Sequence, residues 1–202
     1  MRRVITAVGL TFIGTLVLVW LAFVLVARTG AVDVAATADH LPGAEWFFST
    51  LSDRSIRRYA AEAVGAGELE PPGEVTDAML RTGAVHYRAM CVVCHGAPGT
   101  EPGEIGQGLE PKPPDLAHSA REMSAAEIFW VLEHGIRHTG MPAFGATHGE
   151  EELQALTAFV ERLDGMSPEE YRHLAGAASE PAGSAGEAGA EESDHGHGDH
   201  EH

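Results

Sequence analysis

The sequence predicts an all-α protein with a single N-terminal transmembrane helix and a small helical domain after it. Two observations lead to this class. An uncharged apolar stretch runs from Val4 to Ala27, and later apolar side chains recur at helical spacing with no strand-like alternation of any length. The 202 residues carry a net charge of -17. This charge argues against a nucleic-acid partner, because such proteins need a basic surface.

Residues 1–28 are predicted to be a membrane anchor. The apolar stretch, at about 1.5 Å per residue, is longer than a hydrocarbon core of roughly 30 Å. Arg2 and Arg3 precede it and only Arg28 follows it, so the N-terminus is expected in the cytoplasm and the rest of the chain outside. A cleaved signal peptide is the alternative, since Ala36-Thr37-Ala38 fits a cleavage site, but its apolar region would be shorter and nearer the cut.

Residues 29–74 are predicted to be a tether that contains an amphipathic helix and ends in a Pro/Gly linker. The helix covers 44–64 and includes three arginines. A basic amphipathic helix this near a span can lie on anionic headgroups, or it can pack on the following domain through Trp46 and Phe47. Periodicity alone does not choose between these two partners.

Residues 75–165 are predicted to form a helical domain. Its helices run from Val75 to Met90, from the Ser124–Glu127 capping box to Gly135, and from the acidic turn Glu150–Glu152 to Gly165, with 96–121 as loop. A domain of about 90 residues buries only a marginal core, and small domains commonly gain stability from a metal, a disulfide or a partner. We therefore expect another group to fill its centre.

The segment Cys91-Val92-Val93-Cys94-His95 supplies the ligands for that group. In C-x-x-C-H, two thiols three positions apart can add to the vinyl groups along one porphyrin edge, while the adjacent imidazole reaches the iron. The motif predicts one covalent haem c. A thioredoxin-like pair or half a zinc site is disfavoured, because the chain has two cysteines and no βαβ pattern; a disulfide is the remaining alternative.

Met141 is the predicted sixth ligand of the iron. It lies in Gly140-Met141-Pro142-Ala143-Phe144-Gly145, where proline and glycines produce an irregular loop that can immobilise a thioether. The alternative is that Met141 fills the core and His138 ligates instead.

These motifs resemble the membrane-anchored bacterial members of the monohaem class I cytochromes c. Such proteins carry G-x-x-x-Y before C-x-x-C-H, here Gly83 and Tyr87, and a GMPAF-like loop after it; the resemblance covers residues 75–165. It implies a class I cytochrome c fold in which the Gly83/Tyr87 helix crosses the last helix near Leu156 and Val160.

The resemblance also implies that a proline carbonyl within 111–114 orients the imidazole of His95. An acidic Gly-rich insertion around residues 101–110 alters the usual spacing, so the particular proline stays open. A purely structural role in turns is the alternative for these prolines.

One-electron transfer is the expected activity, because histidine and methionine would fill both axial positions. The chain would be an electron carrier rather than an enzyme, single-pass in a bacterial inner membrane with its haem domain in the periplasm. Its expected partners are membrane lipid, a donor dehydrogenase or quinol-oxidising complex, and an acceptor oxidase or reductase. Alternatives are a haem subunit fixed in such a complex, or a haem enzyme or gas sensor with an open sixth position.

Residues 166–202 are predicted to hold a short helix from Ser167 and then an acidic tail. Residues 176–193 are rich in Ala, Gly, Ser and Glu, a composition typical of disorder. A weaker interpretation is a metal site in the tail, because histidines alternate with carboxylates there. Its ligands would be His195, His197, His200 and His202.

Overall fold

The computed structural model describes residues 1–38 and 42–176, and these segments are helical, without strands. The predicted all-α class is confirmed. Two single 3-10 turns occur at Ala120–Glu122 and Phe144–Ala146. The α-helices are α1 (Arg2–Thr29), α2 (Ala44–Ala66), α3 (Asp77–Met90), α4 (Val92–His95), α5 (Glu104–Gln107), α6 (Leu116–Ser119), α7 (Ala125–His134), α8 (Glu150–Arg162) and α9 (Pro168–Leu174).

α1 is the one helix of the described segments that is long and apolar enough to cross a membrane. None of its residues is buried against the rest of the protein. Its threonines satisfy their own hydroxyl groups: Thr6, Thr11 and Thr15 each donate to the carbonyl four residues earlier, at 2.9–3.0 Å. Such internal pairing suits a hydrocarbon environment, which offers no other acceptor.

The core of the domain that follows α2 lies where α3 crosses α8. Gly83 permits the crossing, because a Cβ there would collide with the carbonyl oxygen of Ala155 and lie 2.7 Å from the Cβ of Phe159. Leu156 and Phe159 are fully buried, and the rings of Tyr87 and Phe159 are 5.3 Å apart. The resemblance implied a crossing near Leu156 and Val160, and the contacts of Gly83 lie one residue before each, at Ala155 and Phe159.

Two helices close the ends of this crossing. The predicted capping box opens α7: the backbone N–H of Ser124 donates to Glu127 Oε2 at 2.7 Å, and Glu127 N–H donates back to Ser124 Oγ at 3.3 Å. Ser167 caps α9 as predicted, by accepting the backbone N–H of Glu170 at 3.1 Å. α9 buries Tyr171 beside α3 and α8.

α2 packs on α7, but through other residues than the Trp46 and Phe47 of the packing alternative. Ile56 and Ala60 are the buried residues of α2, and Tyr59 stacks on Trp130 with ring centroids 6.3 Å apart. Trp46 and Phe47 are 70% and 54% exposed. The first half of the helix is therefore unpartnered in the described structure, because only its second half reaches α7.

Two segments predicted to be irregular are more ordered than expected. The linker after α2 is anchored, since Leu69 is buried and the carbonyl of Glu70 accepts a hydrogen bond from Gln154 Nε2 at 3.3 Å. The predicted loop 96–121 contains α5, α6 and the start of the first 3-10 turn. The expectation of loop throughout 96–121 was wrong, because tertiary contacts stabilise short segments whose local patterns are too weak to indicate structure.

Candidate functional site

The C-x-x-C-H segment lies at the junction of two helices. Cys91 ends α3, with its N–H donating to the carbonyl of Tyr87 at 2.8 Å, and α4 carries the remaining four residues. Cys91 is buried and Cys94 is half-buried, and both are free thiols. Burial, and to a smaller extent the nearby Cys94, raises the pKa of Cys91 to about 12. Cys91 is therefore a neutral thiol near pH 7 in this fold.

The imidazole of His95 is held by one backbone contact. Its Nδ1 lies 2.9 Å from the carbonyl oxygen of Pro114, and because a carbonyl only accepts, Nδ1 must carry the hydrogen. The lone pair is then on Nε2. Burial lowers the pKa of His95, while the hydrogen bond to Pro114 acts in the opposite direction. Among the prolines of 111–114, the orienting carbonyl is thus that of Pro114.

The loop that carries Met141 is held by hydrogen bonds rather than by a helix. Thr139 Oγ1 donates to the carbonyl of Ile136 at 2.7 Å and accepts the N–H of Met141 at 3.1 Å. The carbonyl of Met141 in turn accepts the N–H of Ile136 at 3.2 Å. Met141 is half-buried and packs against the same core that contains Cys91. The structure therefore brings both predicted ligand segments to one core.

Glycine allows this loop to fold tightly against the end of α7. Gly135 has a φ of 64°, in the region that favours glycine. A Cβ at this position would lie 2.8 Å from the carbonyl oxygen of Met141 and 2.7 Å from the carbonyl carbon of Pro142. Any side chain here would push the Met141 loop away from α7.

The acidic insertion contacts both halves of the site. A Cβ at Gly106 in α5 would lie 2.5 Å from the carbonyl oxygen of Cys94. A few residues later, Leu109 packs on Gly140, where a Cβ would lie 2.7 Å from its Cδ1. Residues 104–109 thus bridge the segment of Cys94 and the loop of Met141.

His138, the alternative ligand, has an unusual backbone. It is the one non-glycine residue of the described segments with a positive φ, at 63°, and it is exposed. Histidine tolerates this conformation better than most residues. Its exposure contrasts with the half-buried Met141.

The donor set fits a covalent haem. Two free thiols are available on one short segment, the histidine beside them has only Nε2 unengaged, and a thioether packs against the same core. Thioether bonds need free thiols, and haem iron accepts a neutral imidazole and a thioether. Elsewhere in the described segments, no group of three or more His, Cys, Asp or Glu side chains is arranged to hold a metal ion.

The predicted tail ligands are outside the described residues. His195, His197, His200 and His202 all belong to 177–202, so the tail metal site stays a prediction.

Several contributing residues were not found from the sequence. Thr139 and Leu109 carry no local pattern of ligand support, and Gly106 is indistinguishable from other loop glycines. A threonine two residues before a loop methionine is the only available signal, because a hydroxyl can accept the N–H two positions later.

An all-helical fold with C-x-x-C-H at a helix junction defines the class of the domain, a c-type cytochrome. Residues 78–160 match the protein-family model described as cytochrome C oxidase, cbb3-type, subunit III. These residues are a c-type cytochrome domain, with haem c as its cofactor and haem-based electron transfer as its activity. The apolar α1 fits a membrane anchor. No curated protein and no solved structure matches the chain.

Proposed function

We propose that the chain is a membrane-tethered one-electron carrier with a single His/Met-ligated haem. Cys91 and Cys94 would hold the haem covalently, and His95 Nε2 and the Met141 thioether would be the protein ligands of its iron. The observation that carries this proposal is the Nδ1 contact of His95 with Pro114. It leaves one nitrogen for a metal and sets the direction of its lone pair.

The protein residues keep this site unchanged between oxidation states. Haem iron, when bound, exchanges one electron between its ferrous and ferric forms. Pro114 holds the imidazole, and Thr139 holds the backbone of Met141. Tyr87 donates from its buried hydroxyl to the carbonyl of Gly96 at 2.9 Å, which ties the end of α4 to α3. With His95 and Met141 both ligating, the iron would have no ligand position left for a substrate and would serve electron transfer alone.

We place the domain on the periplasmic side of a bacterial inner membrane. Support comes from Arg2 and Arg3 before α1, against Arg28 alone after it. Donors in this location would be a dehydrogenase or a quinol-oxidising complex. The matched family is described as an oxidase subunit, which favours an oxidase as the acceptor and makes residence in an oxidase complex the second candidate.

The surface beside Cys94 is the proposed docking face for the acceptor. Val93 and Ile105 are 42% and 62% exposed, and Glu101 and Glu104 are exposed beside them in sequence. Residues 75–165 carry 13 acidic and 6 basic side chains, a net charge of -7. An apolar patch with carboxylates at its border fits a partner face that is apolar at its centre and basic at its rim.

Visible spectroscopy of the purified full chain tests the ligation. The ferric protein should show a thioether-to-iron charge-transfer band, and the ferrous protein should not respond to carbon monoxide. Met141→Ala should abolish the band and admit the gas. His138→Gly is the matched control, since it changes a neighbouring residue that we place outside the ligand set, and it should leave both readings unchanged.

The opposite pattern would support a different function. If His138→Gly removes the band, or if the unmodified ferrous protein binds carbon monoxide rapidly, the sixth position is not held by Met141. The enzyme or gas-sensor hypothesis would then replace electron transfer.

The proposed acceptor is tested by measuring how fast a cbb3-type oxidase, isolated from the membranes that contain this protein, oxidises the reduced chain. The rate should fall as salt rises, because opposite charges steer association. Glu101→Gln/Glu104→Gln should lower the rate at low salt several-fold and flatten its salt dependence. Glu122→Gln/Glu169→Gln removes the same charge elsewhere and should change neither. Stable co-purification with the oxidase would instead favour the fixed subunit.

A further inference from the structure

The two halves of α2 differ in what covers them. Trp46, Phe47, Phe48 and Leu51 are 70%, 54%, 62% and 53% exposed, and we call these four residues the aromatic end of α2. Four large apolar side chains within two turns form a continuous apolar surface, which is unusual on a face that only contacts water. This end of the helix is therefore a candidate contact surface.

The second half of α2 fixes the direction of the aromatic end. Ile56 and Ala60 are buried, and Tyr59 stacks on Trp130 of α7. Arg57 also pairs with Glu127 of α7, at 3.7 Å. Because the helix is continuous, the domain holds the aromatic end in a set orientation.

Arginines follow the aromatic residues on the same side. At 100° per residue, Phe47, Leu51 and Arg54 lie in one stripe, on the side of the helix opposite Ile56 and Ala60. Arg54 has no ion-pair partner within the described segments. An apolar end followed by a free guanidinium matches the order of a bilayer interface, where aromatic rings lie at headgroup level and arginine binds phosphate.

The membrane anchor brings this surface near lipid. α1 ends at Thr29 and α2 begins at Ala44. The 14 intervening residues can span at most about 48 Å when fully extended. The start of α2 is thus confined to a shell near the bilayer surface, with its aromatic end closest to the tether.

We propose that the aromatic end of α2 inserts into the bilayer interface, with Arg54 at the level of the lipid phosphates. The contact attaches the domain to the membrane a second time, beside the transmembrane helix. It holds the c-type cytochrome domain in one orientation, instead of leaving it to tumble on a tether. The occupant is an anionic lipid surface, continuous with the bilayer that α1 crosses.

Depth measurements with spin labels test the insertion directly. The full-length, haem-loaded chain is placed in nanodiscs, one chain per disc, with phosphatidylglycerol in phosphatidylcholine. A label is attached at position 47 or 51 through Phe47→Cys or Leu51→Cys, and at position 169 through Glu169→Cys. Each label is exposed to oxygen, which concentrates in lipid, and to a nickel chelate, which stays in water. Unsubstituted protein labelled in parallel corrects for reaction at Cys91 and Cys94.

We expect the ratio of oxygen to nickel accessibility to be several-fold higher at positions 47 and 51 than at 169. Equal ratios at all three positions would overturn the proposal and turn attention to a protein partner for the aromatic end. The reading does not depend on electron transfer, so it stands or fails separately from the proposed function.

Two matched pairs of variants separate the apolar and the charged contributions. With the label at 51, replacing Trp46, Phe47 and Phe48 by serine should reduce the ratio to that of position 169. Val75→Ser/Val85→Ser removes apolar side chains of similar exposure, both 45%, and should have no effect.

Arg54→Glu should lower the ratio in anionic discs and leave it unchanged in discs of phosphatidylcholine alone. Arg81→Glu makes the same charge change in α3 and should have no effect in either disc. A ratio at 51 that survives the triple serine variant would contradict insertion of the aromatic end.

Discussion

The α3–α8 crossing and the segments that carry His95 and Met141 are held by different interactions. At the crossing, Leu156 and Phe159 are fully buried, and Gly83 allows the backbones of α3 and α8 to approach closely. On the ligand side, His95 and Met141 are only half-buried and are positioned by hydrogen bonds to backbone and to Thr139. Apolar packing supplies the stability, and directional hydrogen bonds orient the two proposed iron ligands.

The largest effect should come from emptying the crossing. Phe159→Ala removes a fully buried ring and should lower the free energy of unfolding by about 3–5 kcal/mol. Guanidinium unfolding of the detergent-solubilised full chain measures the loss. The thioether band of the folded fraction should persist, because His95 and the backbone of Met141 are held by hydrogen bonds to Pro114 and Thr139 and not by this ring. If Phe159→Ala abolishes the thioether band without lowering the free energy of unfolding, the crossing and the ligand segments are not independent.

Filling the crossing should cost somewhat less. Gly83→Ala places a methyl group against the carbonyl of Ala155, and α3 and α8 must move apart, which should destabilise the protein by about 3 kcal/mol. Gly65→Ala is the control: it lies in α2, and a Cβ there meets nothing within 4 Å. This change should stabilise by about 0.5–1 kcal/mol. If Gly83→Ala and Gly65→Ala change the melting temperature by the same amount in the same direction, α3 and α8 do not cross as closely as described.

A pair of tyrosines tests the connection between the two sides. Tyr87→Phe leaves the buried carbonyl of Gly96 without its donor and should destabilise by about 1–2 kcal/mol. Tyr171 is also buried, but its hydroxyl has no hydrogen-bond partner in the described structure. Tyr171→Phe should therefore leave the unfolding free energy unchanged or raise it by up to about 1 kcal/mol. Thermal unfolding of the two variants measures the difference. If Tyr171→Phe loses as much stability as Tyr87→Phe, the expectation is contradicted.

The smallest change in stability should occur on the ligand side. Thr139→Val keeps the shape of the side chain but removes its two hydrogen bonds, a loss of about 1 kcal/mol. Its functional signature should be larger: the ferrous protein should admit carbon monoxide more readily, since Met141 is less firmly held. Thr147→Val, which alters an exposed hydroxyl after the same loop, is the comparison. Identical gas binding in the two variants would argue against a positioning role for Thr139.

Local patterns predicted the helices well and their contacts poorly. The Ser124 capping box and the Ser167 cap were found because they involve residues three positions apart. One of the two alternatives for α2 was packing through Trp46 and Phe47, whereas the buried residues are Ile56 and Ala60. Both sets fit a helical period, and only the position of α7 distinguishes them.

The sequence indicated which residues are candidate ligands, but not which residues position them. The candidate haem-binding side chains of C-x-x-C-H lie within five consecutive residues, so their spacing can be recognised from the sequence. The partner of His95 is 19 residues away at Pro114, and three other residues of the 111–114 segment offer carbonyls of the same kind. The bridge formed by Gly106 and Leu109 joins segments far apart along the chain, so no spacing rule indicates it.

By itself, the sequence determined the membrane span, the all-α class and the covalent motif, because each depends on residues within one helix or a few turns. The tertiary structure alone decided which carbonyl orients His95, how the acidic insertion reaches both ligand segments, and which half of α2 is left exposed. These depend on where distant segments meet. Contacts between distant segments are set by the packing of the whole core around the α3–α8 crossing. Many different local sequences are compatible with the same contact, so a local pattern does not predict it.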